Sequence, residues 1–158
     1  MVHIVLVMHG TYDIVTGELT PQGVNGIGEL AVVLRDIARA NEKDAQVFTS
    51  SALPARGSAD IISEYLDVPS QCMRELDEST DRSEVGQRMW RLADAYHNHR
   101  LPARVMILVT QAPQIADFMK FYFGEGSEQF RLMHIPDCAE AMDIEYVTSK
   151  VRVLNSRA

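Results

Sequence analysis

Cysteine is scarce in this sequence. Cys72 and Cys138 are the only two, and no CxxC spacing joins them. Neither a disulfide framework nor a cysteine-based zinc site is supported, so a reducing, cytoplasmic compartment is the expectation. Basic charge is also short: fifteen Lys and Arg stand against 22 Asp and Glu, for a formal net charge of -7. That balance argues against nucleic acid or an anionic membrane surface as a partner. Long apolar runs are missing. Ile4 to Met8 is too short to span a bilayer, and Met1-Val2-His3 before it lacks the basic start of a signal peptide. No internal repeat, low-complexity tract or linker interrupts the chain.

What is present suits a folded globule. Over 158 residues, 46% are hydrophobic and 23% charged, which predicts one domain, residues 1–158, with a sizeable core. Two short runs, Ile4 to Met8 and Val105 to Val109, read as strands covered on both faces. Gln46 to Thr49 is a weaker third. Helical spacing follows at Ile27, Leu30, Ala31, Leu34, Ile37 and Ala38, from a start near Pro21. It recurs at Ala59, Ile62, Tyr65 and Leu66, then from Val85 to Tyr96, and again from Ile115 to Phe123. The alternation predicts an α/β fold: a doubly wound, mostly parallel sheet with helices on both faces. In the tail, Arg131 to Ile135, Met142 to Val147 and Val151 to Leu154 read as strands extending one edge. Thr148-Ser149 would form the turn between the last two.

Several motifs can be set aside. Gly26-x-Gly28-x-x-Ala31 superficially matches a dinucleotide fingerprint, but in that fingerprint the glycines follow the first strand directly. Here they lie inside the amphipathic pattern, where close helix packing explains them. His97 and His99 point to different faces of a helix, while His3 and His134 are isolated in sequence, so no metal site is expected. No cofactor motif and no GxSxG elbow occurs. Phe118 to Phe123 reads as core, except that Phe121 falls off the stripe and suits a subunit contact in a homo-oligomer.

One succession remains. Met8-His9-Gly10 ends the first strand, and Leu19-Thr20-Pro21-Gln22-Gly23 opens the first helix. Phe48-Thr49-Ser50-Ser51-Ala52-Leu53 follows the second strand; Leu76-Asp77-Glu78 and Val109-Thr110-Gln111 come later. In order and placement this resembles the histidine phosphatase (phosphoglycerate mutase-like) superfamily, over roughly the first 115 residues. That family carries Arg-His-Gly, Leu-Thr-x-x-Gly, Ser-Ser-x-Leu-x-Arg, Leu-x-Glu and Val-Thr-His. The resemblance implies a phosphoglycerate mutase-like fold with no cofactor. It also implies a phosphorylated small molecule or oxyanion as ligand, and a histidine that accepts the phosphoryl group.

By the same resemblance, His9 stands at the nucleophile, Glu78 at a proton-handling carboxylate, and Gly10 and Ser51 in the phosphate pocket. The charged positions differ. Met8 replaces the first arginine, Ala55 falls at the second with Arg56 next to it, and Gln111 replaces the second histidine. The first two changes remove a cationic donor that would meet charge developing on the phosphoryl group, and Gln111 keeps hydrogen-bonding capacity but loses the proton and the charge. The expectation is therefore a catalytically impaired or repurposed binding protein, its pocket near His9, Arg56, Glu78 and Gln111. The alternative is an active phosphomonoesterase in which Arg56 compensates.

Overall fold

The computed structural model describes residues 2–41, 45–79, 81–98, 104–146 and 149–155, without the side chains of 82, 83 and 96–98. Along the chain lie β1 (His3–Met8), α1 (Pro21–Ala40), β2 (Ala45–Thr49), α2 (Leu53–Leu66) and β3 (Ser70–Cys72). A 3-10 turn (Arg74–Leu76) leads to α3 (Arg82–Asn98), β4 (Val105–Thr110), α4 (Ala112–Phe123), α5 (Glu128–Leu132), β5 (Ala141–Glu145) and β6 (Val151–Leu154). The strands form one sheet in the order β3-β2-β4-β1-β5-β6. β1, β4, β2 and β3 run parallel, whereas β5 and β6 add to the β1 side antiparallel.

Strand alternation sorts the core into two halves. Val5, Val7, Val47, Ile107 and Val109 face α1 and α2, meeting Ile27, Leu30, Leu34, Ala55, Ala59 and Ile62. Ile4, Leu6, Phe48, Met106 and Leu108 face α3 and α4, meeting Val85, Met89, Ile115, Phe118 and Met119. Both faces of β1 and β4 are thus sealed, which explains why those strands read as unbroken apolar runs. No helix among the described residues is long and apolar enough to cross a membrane.

Two details differ from the sequence expectation. Arg131 to Ile135 is not a strand: Arg131 and Leu132 end α5, and the chain leaves the helix at Met133. The local cause is Ser127, whose hydroxyl accepts from the Phe130 amide at 3.1 Å and caps a helix start. Leu132 is 78% exposed and has no core to enter as a strand residue. Conversely, β3 is a polar edge strand, Ser70-Gln71-Cys72, with no hydrophobic alternation to announce it. Val147, Thr148 and His99 lie outside the described residues, as does the His97 side chain.

At the antiparallel edge, His3 is a satisfied core histidine. Its Nδ1 lies 2.8 Å from Asp143 Oδ1, and Arg152 Nε donates to Asp143 Oδ2 at 2.7 Å. Asp143 is buried and so answers to partners on both neighbouring strands.

The start of α1 is fixed where it matters for the mouth of the sheet. Thr20 Oγ1 accepts from the Gly23 amide at 3.0 Å, and Pro21 occupies the first turn. Gly23 lies so close to the Thr11 backbone that an added Cβ would collide with the Thr11 carbonyl. Gly23→Ala is expected to cost about 1–3 kcal/mol through forced separation of α1 from the 9–12 segment. Gly126→Ala, which meets nothing within 4 Å, serves as the control. Urea unfolding of both variants checks this, and equal midpoints would contradict it.

Candidate functional site

Parallel pairing brings three strand ends to one place. Met8 sits opposite Thr110 and Thr49 opposite Val109. The pairing continues past the strands, with the His9 amide donating to the Thr110 carbonyl at 3.3 Å and the Ser50 amide to the Val109 carbonyl at 3.0 Å. His9, Ser51 and Gln111 therefore all leave the sheet at its carboxyl end, where open α/β sheets place their ligands.

His9 is buried at 5% exposure, and its Nδ1 lies 2.8 Å from the Gly10 carbonyl oxygen. A carbonyl can only accept, so Nδ1 carries the proton and Nε2 keeps its lone pair in the neutral ring. This is the tautomer a nucleophilic or hydrogen-bond-accepting Nε2 requires. Tyr12 packs edge-on against the imidazole, with ring centroids 5.2 Å apart. The Gly10 amide donates to Ser58 Oγ at 3.0 Å, and Ser58 donates in turn to the Pro54 carbonyl at 2.7 Å. Thus α2 holds the turn that aims His9.

The far wall hangs on Asp77. One carboxylate oxygen accepts from both the Ser51 amide (2.6 Å) and the Ser51 hydroxyl (2.8 Å). The neighbouring Leu76 carbonyl accepts from Thr110 Oγ1 at 2.9 Å. Thr110 Oγ1 also lies 3.3 Å from Gln111 Oε1. A hydroxyl has one hydrogen, and the shorter bond to Leu76 uses it. Turning the Gln111 amide over lets its nitrogen donate to the same hydroxyl, satisfying all three groups.

The residues at the altered charged positions are now placed. Met8 is half-buried and packs against the α3–α4 half of the core. Ala55 is wholly buried between α2 and the other half. Arg56 is exposed and lines a groove with Gly17, Leu19, Leu53 and Asp60, a groove whose lining does not include His9, Ser51 or Gln111. Glu78 is exposed and borders a different cavity of about 250 Å³ with Ser79, Val85 and Gln114. Arg56 and Glu78 thus each border a recess of their own, on α2 and beside α3 respectively.

Sequence reasoning passed over Asp77, Ser58, Tyr12 and Arg88. Asp77 is the unspecified residue of Leu-x-Glu, so no motif marked it, although an acid facing Ser-Ser across the sheet mouth is a recognisable pairing. Arg88 reaches back from α3 and donates from a terminal guanidinium nitrogen to the Asp77 carbonyl at 3.0 Å. It is a cation anchored to the segment that carries Asp77 and Glu78. Cys138 is a poor substitute nucleophile, because burial and then the charge of Asp137 push its thiol above the ordinary value.

No protein-family model matches the sequence, and no curated protein matches it either. Solved structures do. A mycobacterial glucosyl-3-phosphoglycerate phosphatase complexed with VO3 superposes with a TM-score of 0.73 at 15% identity, covering 98% of each chain. The same phosphatase with inorganic phosphate gives 0.72 at 15% identity over 100% of both chains. The alpha-ribazole phosphatase of Shigella flexneri gives 0.69 at 17% identity, over 99% of this chain and 97% of that one. The chain has the fold of these phosphatases.

The tautomer is directly measurable. Long-range proton–nitrogen correlation spectra of the neutral His9 ring are expected to show hydrogen on Nδ1 and a bare Nε2. The reverse assignment would remove the Gly10 carbonyl as the orienting group.

Proposed function

We propose that this chain, with its phosphoglycerate mutase-like fold, is a divergent member of the histidine phosphatase superfamily. It retains the aimed histidine, has lost most of the charge that phosphoryl transfer needs, and acts by binding a phosphorylated small molecule or other oxyanion at the sheet mouth. The observation that carries this reading is the pairing of a buried His9, its Nδ1 2.8 Å from the Gly10 carbonyl oxygen, with uncharged residues at three positions. Met8, Ala55 and Gln111 stand where the family pattern supplies two arginines and a histidine.

Magnitudes favour binding over turnover. Removing one preorganised donor typically costs about 10²- to 10³-fold in rate. Losses within one site do not multiply, yet several together leave little transition-state stabilisation. Binding is less demanding, because a modest affinity for an anion needs only one cation and oriented amides. In this reading Arg56 supplies that cation from the α2 turns that follow Ser51, and Arg88 holds the opposing wall. The solved neighbours with VO3 and inorganic phosphate support an oxyanion as ligand class. The alternative, an active phosphomonoesterase compensated by Arg56, asks this one exposed side chain to stabilise a transition state as well as to bind an anion.

Phosphate affinity, read by calorimetry, is expected to be weak, salt-sensitive and at least threefold lower in Arg56→Ala. An unchanged affinity would exclude Arg56 as the donor. Hydrolysis of an aryl phosphate is expected to be indistinguishable between the wild type and His9→Ala. Robust wild-type turnover lost in His9→Ala would instead establish the alternative. Met8 and Gln111 are half-buried, whereas Ala55 is fully enclosed. The double variant Met8→Arg with Gln111→His is therefore expected to gain at least about tenfold in rate over the wild type.

A further inference from the structure

His134 is isolated in the sequence but not in the fold. Its Nε2 lies 3.7 Å from Asp137 Oδ2 and 3.9 Å from Glu140 Oε2, and one ligand atom from each of the three residues falls within 4.8 Å of the others. Both histidine distances are too long for a hydrogen bond. They approach the separation of two ligands on one ion: with metal–ligand bonds of about 2.1 Å, neighbouring donors in a tetrahedral site stand about 3.4 Å apart. The set is also mixed. An imidazole nitrogen between two carboxylates is a donor combination suited to borderline and hard divalent cations.

The segment carrying these donors is held in place independently of them. The Glu140 carbonyl accepts from the Met8 amide at 3.0 Å, and the Ala139 amide donates to the His9 carbonyl at 3.2 Å. Two consecutive backbone links thus bind this segment to the end of β1. Ala139 itself is held at a φ of 61°, a left-handed conformation that a non-glycine residue adopts only when its surroundings impose it. The Asp137 amide donates to Glu140 Oε2 at 3.0 Å and turns that carboxylate toward the histidine side. Glu140 is only 23% exposed at its side chain, whereas His134 and Asp137 are largely open at 63% and 79%. One arm is therefore preset, and two reach in from solvent with rotamer freedom to close the remaining gap.

We infer that His134, Asp137 and Glu140 form a site for a divalent cation such as Zn2+, completed by water. The site is distinct from the His9 chemistry and stands whether or not phosphoryl transfer occurs. Because the three donors come from the chain between α5 and β5, a bound ion would close that segment into a short loop. The same loop is hydrogen-bonded to the His9 backbone, so the ion would stiffen one wall of the sheet mouth without touching the imidazole.

The test is calorimetric titration of the full chain with Zn2+ alone, repeated on His134→Ala and on Asp137→Asn with Glu140→Gln. Exposed His134 and Asp137 are dispensable for packing, and metal-free melting curves check that each variant is folded. One equivalent bound by the wild type, weakened at least tenfold in both variants, is the expected result. It should be accompanied by a metal-induced rise in melting temperature of about 5 °C or more at a hundredfold excess over Kd, absent in both variants. Three results would overturn the assignment: no saturable binding below about 100 µM, binding unchanged by His134→Ala, or binding lost in His134→Ala but kept in the carboxylate variant. The last would identify a lone histidine contact rather than a three-donor site.

Discussion

The mouth of this sheet depends on β1 and β4 running side by side in the same direction, with Met8 opposite Thr110. A one-residue slip would turn every side chain of β1 to the other face. It would also carry His9 from the Gly10–Tyr12 turn into the body of the sheet. The slip is prevented by burial: Ile4, Leu6, Val5 and Val7 are all fully enclosed, two on each side. Position-specific chemistry at His9 is thus set by apolar packing several residues earlier.

Given that frame, short-range contacts fix the surroundings of His9. Three of them aim the ring: the Gly10 carbonyl on Nδ1, Ser58 beneath the Gly10 amide, and Tyr12 against the ring edge. The wall opposite is well made too, since a single Asp77 oxygen takes both Ser51 donors. Two further positions near the strand ends carry no formal charge and are packed into the core. Met8 joins the core it borders, and Ala55 is fully enclosed.

Both central strands, the four longer helices and the order of the motifs could be read from sequence because burial leaves a periodic composition signal that needs no partner to be seen. The antiparallel direction of β5 and β6 was legible as strand but only loosely as orientation. Arg131 to Ile135 misled because alternating apolar residues also occur in a short exposed helix, and the deciding feature was a serine cap four residues earlier. His9, Ser51 and Gln111 were placed correctly at the sheet mouth by strand logic alone. The direction of Arg56 was not legible that way, since one helical position turns a side chain by about 100°. Asp77 and Arg88 escaped because their importance lies in contacts across 26 and 11 residues.

The outermost strand on the parallel side has a bearing on colloidal behaviour. β3 is three residues long, and its Ser-Gln-Cys sequence offers neither a sustained ladder of unpaired amides nor an apolar flank. Sheets with long, flat, hydrophobic margins recruit further strands from neighbouring molecules, and short polar margins do not. The inner strands of this chain are apolar enough to be hazardous if uncovered. Their enclosure, together with so abbreviated a margin, makes the β3 side of the sheet a poor template for edge-to-edge assembly.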